Sequence, residues 1–158
     1  MVNCSCGKKA VFDSYCKKHF ISYIERKIKS TIKRFNMIKN GEKIAVAISG
    51  GKDSQTTLYL LHKIYGDKVE GICIDEGIKG YRDQTITDLR DFCDKYSIKF
   101  KIYSFKDAFG KDLDTYIKEN KPSCRTCGIL RRYLLNIKAK GFDKIATGHN
   151  LDDECQSI

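Results

Sequence analysis

The run Ile44-Ala45-Val46-Ala47-Ile48 passes without a spacer into Ser49-Gly50-Gly51-Lys52-Asp53-Ser54. This junction reads as a buried strand entering a glycine-rich turn that opens a helix at Asp53 or Ser54. Two adjacent glycines permit backbone angles closed to other residues and leave room for oxygens to approach the main chain. The free N–H groups of such a loop and of the helix start point at that space, and the helix dipole adds positive potential. Lys52 places a full charge on the rim. The spacings G-x-x-x-x-G-K-[ST] and G-x-G-x-x-G of the commoner nucleotide loops are both absent. A tight turn with a Ser/Asp cap would explain the caps alone, whereas a phosphate cradle also explains the glycines and the lysine.

The 158 residues suffice for one domain with a real core plus a small appendage, and 41% hydrophobic content is enough to fold it. No apolar run approaches the roughly 18 residues of a membrane span, and the first residues lack a signal core. A soluble, cytoplasmic protein is therefore expected, with no membrane partner. Lys and Arg number 30 against 20 acidic residues, a formal charge of +10 that suggests a polyanionic partner, nucleic acid first. Without a secretion signal, the eight cysteines point to metal ligands or reactive thiols rather than disulfides. Cys73, inside an apolar run, and Cys93, on a helical apolar face, read as small core residues.

Residues 1–20 are polar and cysteine-rich, residues 21–40 form a basic linker helix, and residues 41–158 form an α/β domain. Ile21, Ile24, Ile28, Ile32 and Phe35 recur at helical spacing among lysines and arginines, which predicts an amphipathic helix from Phe20 to about Ile38. Strands are expected at 43–48, 68–74, 99–104 and 143–147. Helices are expected at 53–65, 82–97, 107–119, 125–139 and from 151. This alternation predicts a parallel sheet with helices on both faces. Ligands bind beyond the carboxyl ends of such strands, where Ser49–Ser54, then Asp75 and Glu76, then Gly148-His149-Asn150 stand.

Cys4-x-Cys6 and Cys16-x2-His19 supply three thiolates and an imidazole, the donor set of a closed structural zinc site. So small a segment needs the metal to fold. Cys124-Arg125-Thr126-Cys127 stands where a helix starts, just after Pro122 and close to Arg131 and Arg132. Both surroundings lower thiol pKa, so the pair is reactive or metal-binding, and a redox pair is one reading. Two cysteines alone close neither an iron–sulfur cluster nor a zinc site. Near the end, Thr147-Gly148-His149-Asn150-Leu151-Asp152-Asp153 takes a strand through a glycine into an acid-capped helix. Those acids either cap the helix or hold Mg²⁺ on pyrophosphate.

SGGKDS after a strand, CRTCGILRRYLLN and ATGHNLDDE occur in that order behind a Cys3His finger. Together they resemble the TtcA/TtuA family of tRNA 2-thiolation enzymes, N-type ATP pyrophosphatases with a PP-loop, and specifically their archaeal and eukaryotic 2-thiouridine branch. The resemblance implies a HUP-type core. Ala47, Ser49, Gly50, Gly51, Lys52, Asp53 and Ser54 would hold the ATP phosphates, Ile74 would lie by adenine, and Gly148 would touch the nucleotide. Lys52, Asp53, Arg131 and Asp152 would be catalytic. Cys124 and Cys127 would be two of three ligands of a [4Fe–4S] cluster whose open iron takes up the transferred sulfide. The implied partners are tRNA, a sulfur donor (sulfide or a ubiquitin-like thiocarboxylate protein) and a second subunit of a homodimer. The uracil C2 oxygen would be adenylated and then displaced by sulfur. Family members run to roughly twice this length, about two domains, so the third cluster cysteine and a second zinc finger are expected beyond residue 158. Rival functions are cytidine 2-thiolation, a ligase adenylating a small molecule, and an RNA- or ATP-binding module without catalysis.

Overall fold

The computed structural model describes residues 2–78, 80, 82–120 and 124–156, with the main chain alone at 117–120, 124 and 125. Pro122 and the Cys124 and Arg125 side chains lie outside the described set. The chain divides into two compact units, Met1–Asn40 and Gly41–Ile158.

In the first unit, two short bridges, Asn3 with Lys9 and Phe12 with Tyr15, lead into helix α1, Lys17–Arg34. The helix starts earlier than the apolar periodicity predicts, because Cys16 takes the extended N-cap conformation and its carbonyl accepts from Phe20 N at 2.8 Å. His19 therefore lies in the first helical turn, and the finger runs directly into the helix. Ring pairs hold that turn: Phe12 on Phe20 at 4.9 Å and Tyr15 on Tyr23 at 5.2 Å. The helix stops at Arg34, short of Ile38. Asn36 turns left-handed (φ 48°), and the amides of Phe35 and Met37 turn back to the carbonyls of Thr31 and Ile32. Of the five apolar residues at helical spacing, Ile32 is buried while Ile21 and Phe35 are exposed.

The second unit is a four-stranded parallel sheet of β1 (Ile44–Ile48), β2 (Val69–Asp75), β3 (Phe100–Ser104) and β4 (Lys144–Ala146). The strand order is β3-β2-β1-β4, with Ile44 level with Val69 on one side and Lys144 on the other. Helix α2 (Lys52–Tyr65) follows β1, α3 (Arg82–Lys95) follows β2, and α6 (Cys124–Lys138) precedes β4. Both faces of the central strands are covered, as a parallel sheet requires. On one face Ala45, Ile72 and Ile74 pack with Phe105, Leu113, Leu134 and Ala139. On the other, Gly71 leaves room for Ile48 and Leu58 of α2: a Cβ there would stand 2.7 and 3.3 Å from their side chains. Leu89 and Cys93 of α3 are fully buried, as is Cys73 of β2.

The helical stretch expected over 107–119 is two helices, α4 (Phe105–Phe109) and α5 (Leu113–Asn120). Ser104 caps α4 by accepting from Asp107 N, and Gly110, left-handed at φ 76°, ends it. A last helix, α7 (Leu151–Cys155), follows β4. No described helix is long and apolar enough to cross a membrane.

Candidate nucleotide site and metal centres

The strand order reverses between β1 and β4, so the carboxyl ends of these strands mark the switch point at which such sheets bind ligands. The loop Ser49–Gly51 lies there. Gly51 is the extended N-cap of α2 and makes no side-chain cap bond; the serines on either side brace the loop instead of capping the helix. Ser54 Oγ donates to the Gly51 carbonyl at 2.9 Å and accepts from Ser49 N at 3.2 Å. Ser49 Oγ lies 3.3 Å from it and accepts from Gly51 N at 3.4 Å. Gln55 Nε2 adds a donor to the Gly50 carbonyl at 2.9 Å. Ser54 is buried, whereas Lys52 and Asp53 are exposed at the helix start. Serine chemistry shapes the loop, and the helix amides with Lys52 present its positive side outward.

Gly50 needs to be glycine twice over. Its φ is +89°, and a Cβ would stand 2.0 Å from Thr85 Cγ2 of α3. Gly148 is needed because the start of α2 comes close to it. A Cβ there would stand 2.7 Å from both Ser54 N and Cα and 2.9 Å from the Asp53 carbonyl carbon. The loop after β4 therefore rests on the backbone that starts α2. Past it, Asn150 caps α7 through the amides of Asp152 and Asp153, while the Asp153 carboxylate accepts from Asn150 N at 2.8 Å. Asp153 is thus a capping acid. The Asp152 side chain is exposed beside it.

Ile74 is 4% exposed and its side chain belongs to the core, so any adenine contact it made would come through the main chain. Ala47 is half-buried on β1. Asp75 accepts from Gly77 N at 2.9 Å, shaping the turn after β2. Sequence reasoning singled out Asp75 and Glu76 and missed what neutralises them. Arg82, buried at the start of α3, lies with Nε 3.1 Å from Glu76 Oε2 and 3.9 Å from Asp75 Oδ1. Its guanidinium also donates to the Ser49 carbonyl at 2.7 Å and to the Ile74 carbonyl. Glu76, equally buried, faces Arg131 of α6 with its other oxygen at 3.5 Å, and half of the Arg131 side chain remains exposed. The only forewarning in the sequence is an arginine soon after a strand-end acid pair.

Among the described residues, one group of three or more close ligand atoms occurs: Cys4, Cys6, Cys16 and His19, all within 4.8 Å of one another. Cys4 Sγ stands 3.0 Å from His19 Nδ1, and Cys6 Sγ 3.6 Å from Cys16 Sγ. Tetrahedral zinc with ordinary bond lengths sets ligand atoms about 3.5–3.8 Å apart, so the donor set fits. Backbone amides of Cys6 and Cys16 and the His19 ring hold the Cys4 thiol down to about 5, favouring the thiolate that a metal takes. Cys6 is raised: the Lys8 amide favours its thiolate, but desolvation and the neighbouring Cys16 and Cys4 sulfurs outweigh it.

Cys124 is the first residue of α6 and Cys127 the fourth, about one turn on. Cys127 is partly buried against the core beside Leu130. This is a spacing at which two thiolates can serve one metal group. Burial pushes the Cys73 and Cys93 thiols up to about 11, in keeping with core residues, while Cys155 is exposed.

The family profile described as "PP-loop domain" matches residues 21–158. A "Probable sulfurtransferase" from Methanocaldococcus jannaschii is 40% identical over 98% of this chain and 51% of its own length. A "tRNA-5-methyluridine(54) 2-sulfurtransferase" from Pyrococcus horikoshii is 40% identical over 90% of this chain and 46% of its own. The solved structure of the U34-tRNA thiolase NcsA from Methanococcus maripaludis with its [4Fe-4S] cluster superposes with a TM-score of 0.86. That protein is 37% identical, and the match covers 99% of this chain and 56% of the other. The chain thus spans about half the length of the curated relatives it matches. With the strand, glycine loop and helix start in place and matches of this breadth, the chain belongs to the PP-loop family.

Proposed function

We propose that this chain forms the ATP-binding part of a tRNA uridine 2-sulfurtransferase. The observation that carries the reading is the Ser49–Ser54 loop, fastened by its serines across the start of α2 at the sheet's switch point. The names of the relatives support tRNA as the substrate and uridine over cytidine as the base.

In this reading the loop amides and Lys52 hold the β- and γ-phosphates, with Asp53 in the first turn beside them. Arg131, half exposed and oriented by Glu76, neutralises charge at the α-phosphate. The uracil C2 oxygen attacks that phosphorus, and the α–β bridging bond breaks with its electron pair leaving on pyrophosphate. Sulfur then adds at C2 and the C2–O bond breaks, with AMP carrying the oxygen away. The base must be unstacked to be reached. Mg²⁺, held by the phosphates with Asp152, would add charge stabilisation on the leaving pyrophosphate. Cys124 and Cys127 would be two of three ligands of a [4Fe–4S] cluster, which would supply an open iron for sulfide. Zinc on Cys4, Cys6, Cys16 and His19 would be structural. The sulfur source is sulfide or a ubiquitin-like thiocarboxylate protein.

The test is product analysis with α-labelled ATP and tRNA, using protein purified without oxygen. AMP and pyrophosphate are expected, and Lys52→Ala should slow their release by about 100-fold. ADP and phosphate as products would reject the reading.

A further inference from the structure

We propose that Arg82 is a positioning residue that sets the distance between the two walls of the nucleotide site. The inference rests on the nucleotide reading above and deepens it. One wall is the loop after β1, whose first residue, Ser49, offers its carbonyl to the Arg82 guanidinium at 2.7 Å. The other is the end of β2, where the Ile74 carbonyl accepts from the same guanidinium. Glu76, just beyond β2, pairs with Nε at 3.1 Å. One side chain thus fastens the loop that would hold phosphates to the strand end that would face the base. No main-chain ladder does this, because the β1–β2 register ends at Ile48 and Cys73.

Arginine suits this task and lysine does not. The guanidinium is planar and carries five donors in a fixed fork, so it can hold acceptors on different segments at fixed angles. An ammonium would keep the charge near Glu76 but lacks the fork that reaches the Ser49 and Ile74 carbonyls together. Arg82 is 6% exposed and Glu76 4%, so the clamp sits under the site rather than in it. Buried charge of this kind is costly unless it is paired, and Nε, which makes no hydrogen bond, depends on the ion pair with Glu76. Glu76 then passes the constraint on, because its second oxygen faces Arg131.

A ligand that spans both walls should feel the clamp, and one that touches only the phosphate loop should not. The experiment compares ATP and inorganic pyrophosphate binding by calorimetry for wild type, Arg82→Lys and Glu76→Gln, with thermal unfolding of each. For Arg82→Lys, ATP affinity is expected to fall about tenfold or more and pyrophosphate affinity less than about threefold. Glu76→Gln should show the same pattern more weakly, and it decides the matter if Arg82→Lys does not fold. Unchanged ATP binding in both variants, or equal losses for both ligands, would overturn the positioning role while leaving the nucleotide reading intact. Wild type that binds neither ligand would overturn both.

Discussion

Gly148 meets a constraint that the sequence does not show. A glycine between a strand and a polar turn near a suspected nucleotide suggests that it makes room for the ligand. In the fold, the atoms it makes room for are Ser54 N and Cα and the Asp53 carbonyl carbon, all of them main chain. Main chain at a helix start cannot swing aside as a side chain can, so Gly148→Ala should push α2 and the loop after β4 apart. A loss of about 1–3 kcal/mol is expected by chemical denaturation, together with weaker ATP binding. Unchanged stability would mean the loop relaxes freely and the contact is incidental. The clamp residue shows the opposite limit of sequence reading. Arg82 stands at the start of a helix, where nothing in charge or periodicity separates a buried arginine from a solvated one. Only the meeting of β2's end with the Ser49 carbonyl reveals what it does.

At the scale of elements, the alternation of strands and helices was legible because apolar runs and helical spacing were both strong. The stretch over 107–119 was not. A run of mixed residues hid a break at Gly110, whose left-handed backbone closes α4 before α5 begins. The start of α1 was missed for a related reason. Apolar periodicity begins at Phe20, whereas the helix is set by Cys16 as N-cap, a role for which cysteine gives no sequence signal. This continuity puts His19 on the helix and the three cysteines on the loops before it, so metal binding and the first turn of α1 should be lost together. Cys16→Ser is expected to lower bound zinc from about one equivalent to well below it, as measured by elemental analysis, with a parallel loss of helical amide protection in 17–23. Full zinc occupancy in that variant would remove the cysteine from the ligand set.

For the molecule as a whole, the formal charge of +10 is distributed unevenly, and α1 alone carries seven Lys and Arg against one Glu. If tRNA is the partner, its binding should be dominated by counterion release and weaken steeply with salt. Replacing Lys27, Lys29 and Lys33 by Ala should then shallow the slope of log affinity against log salt by about one to three units. A slope identical to wild type would place the RNA contacts elsewhere. The central claim concerns the loop after β1 and whether it grips a triphosphate. The most direct measurement is a crystal structure of the protein grown with a non-hydrolysable ATP analogue. The account predicts phosphate oxygens within hydrogen-bond reach of the Gly50, Gly51 and Lys52 amides, with the adenine toward the end of β2. An analogue bound elsewhere, with that loop contacting only solvent, would contradict it.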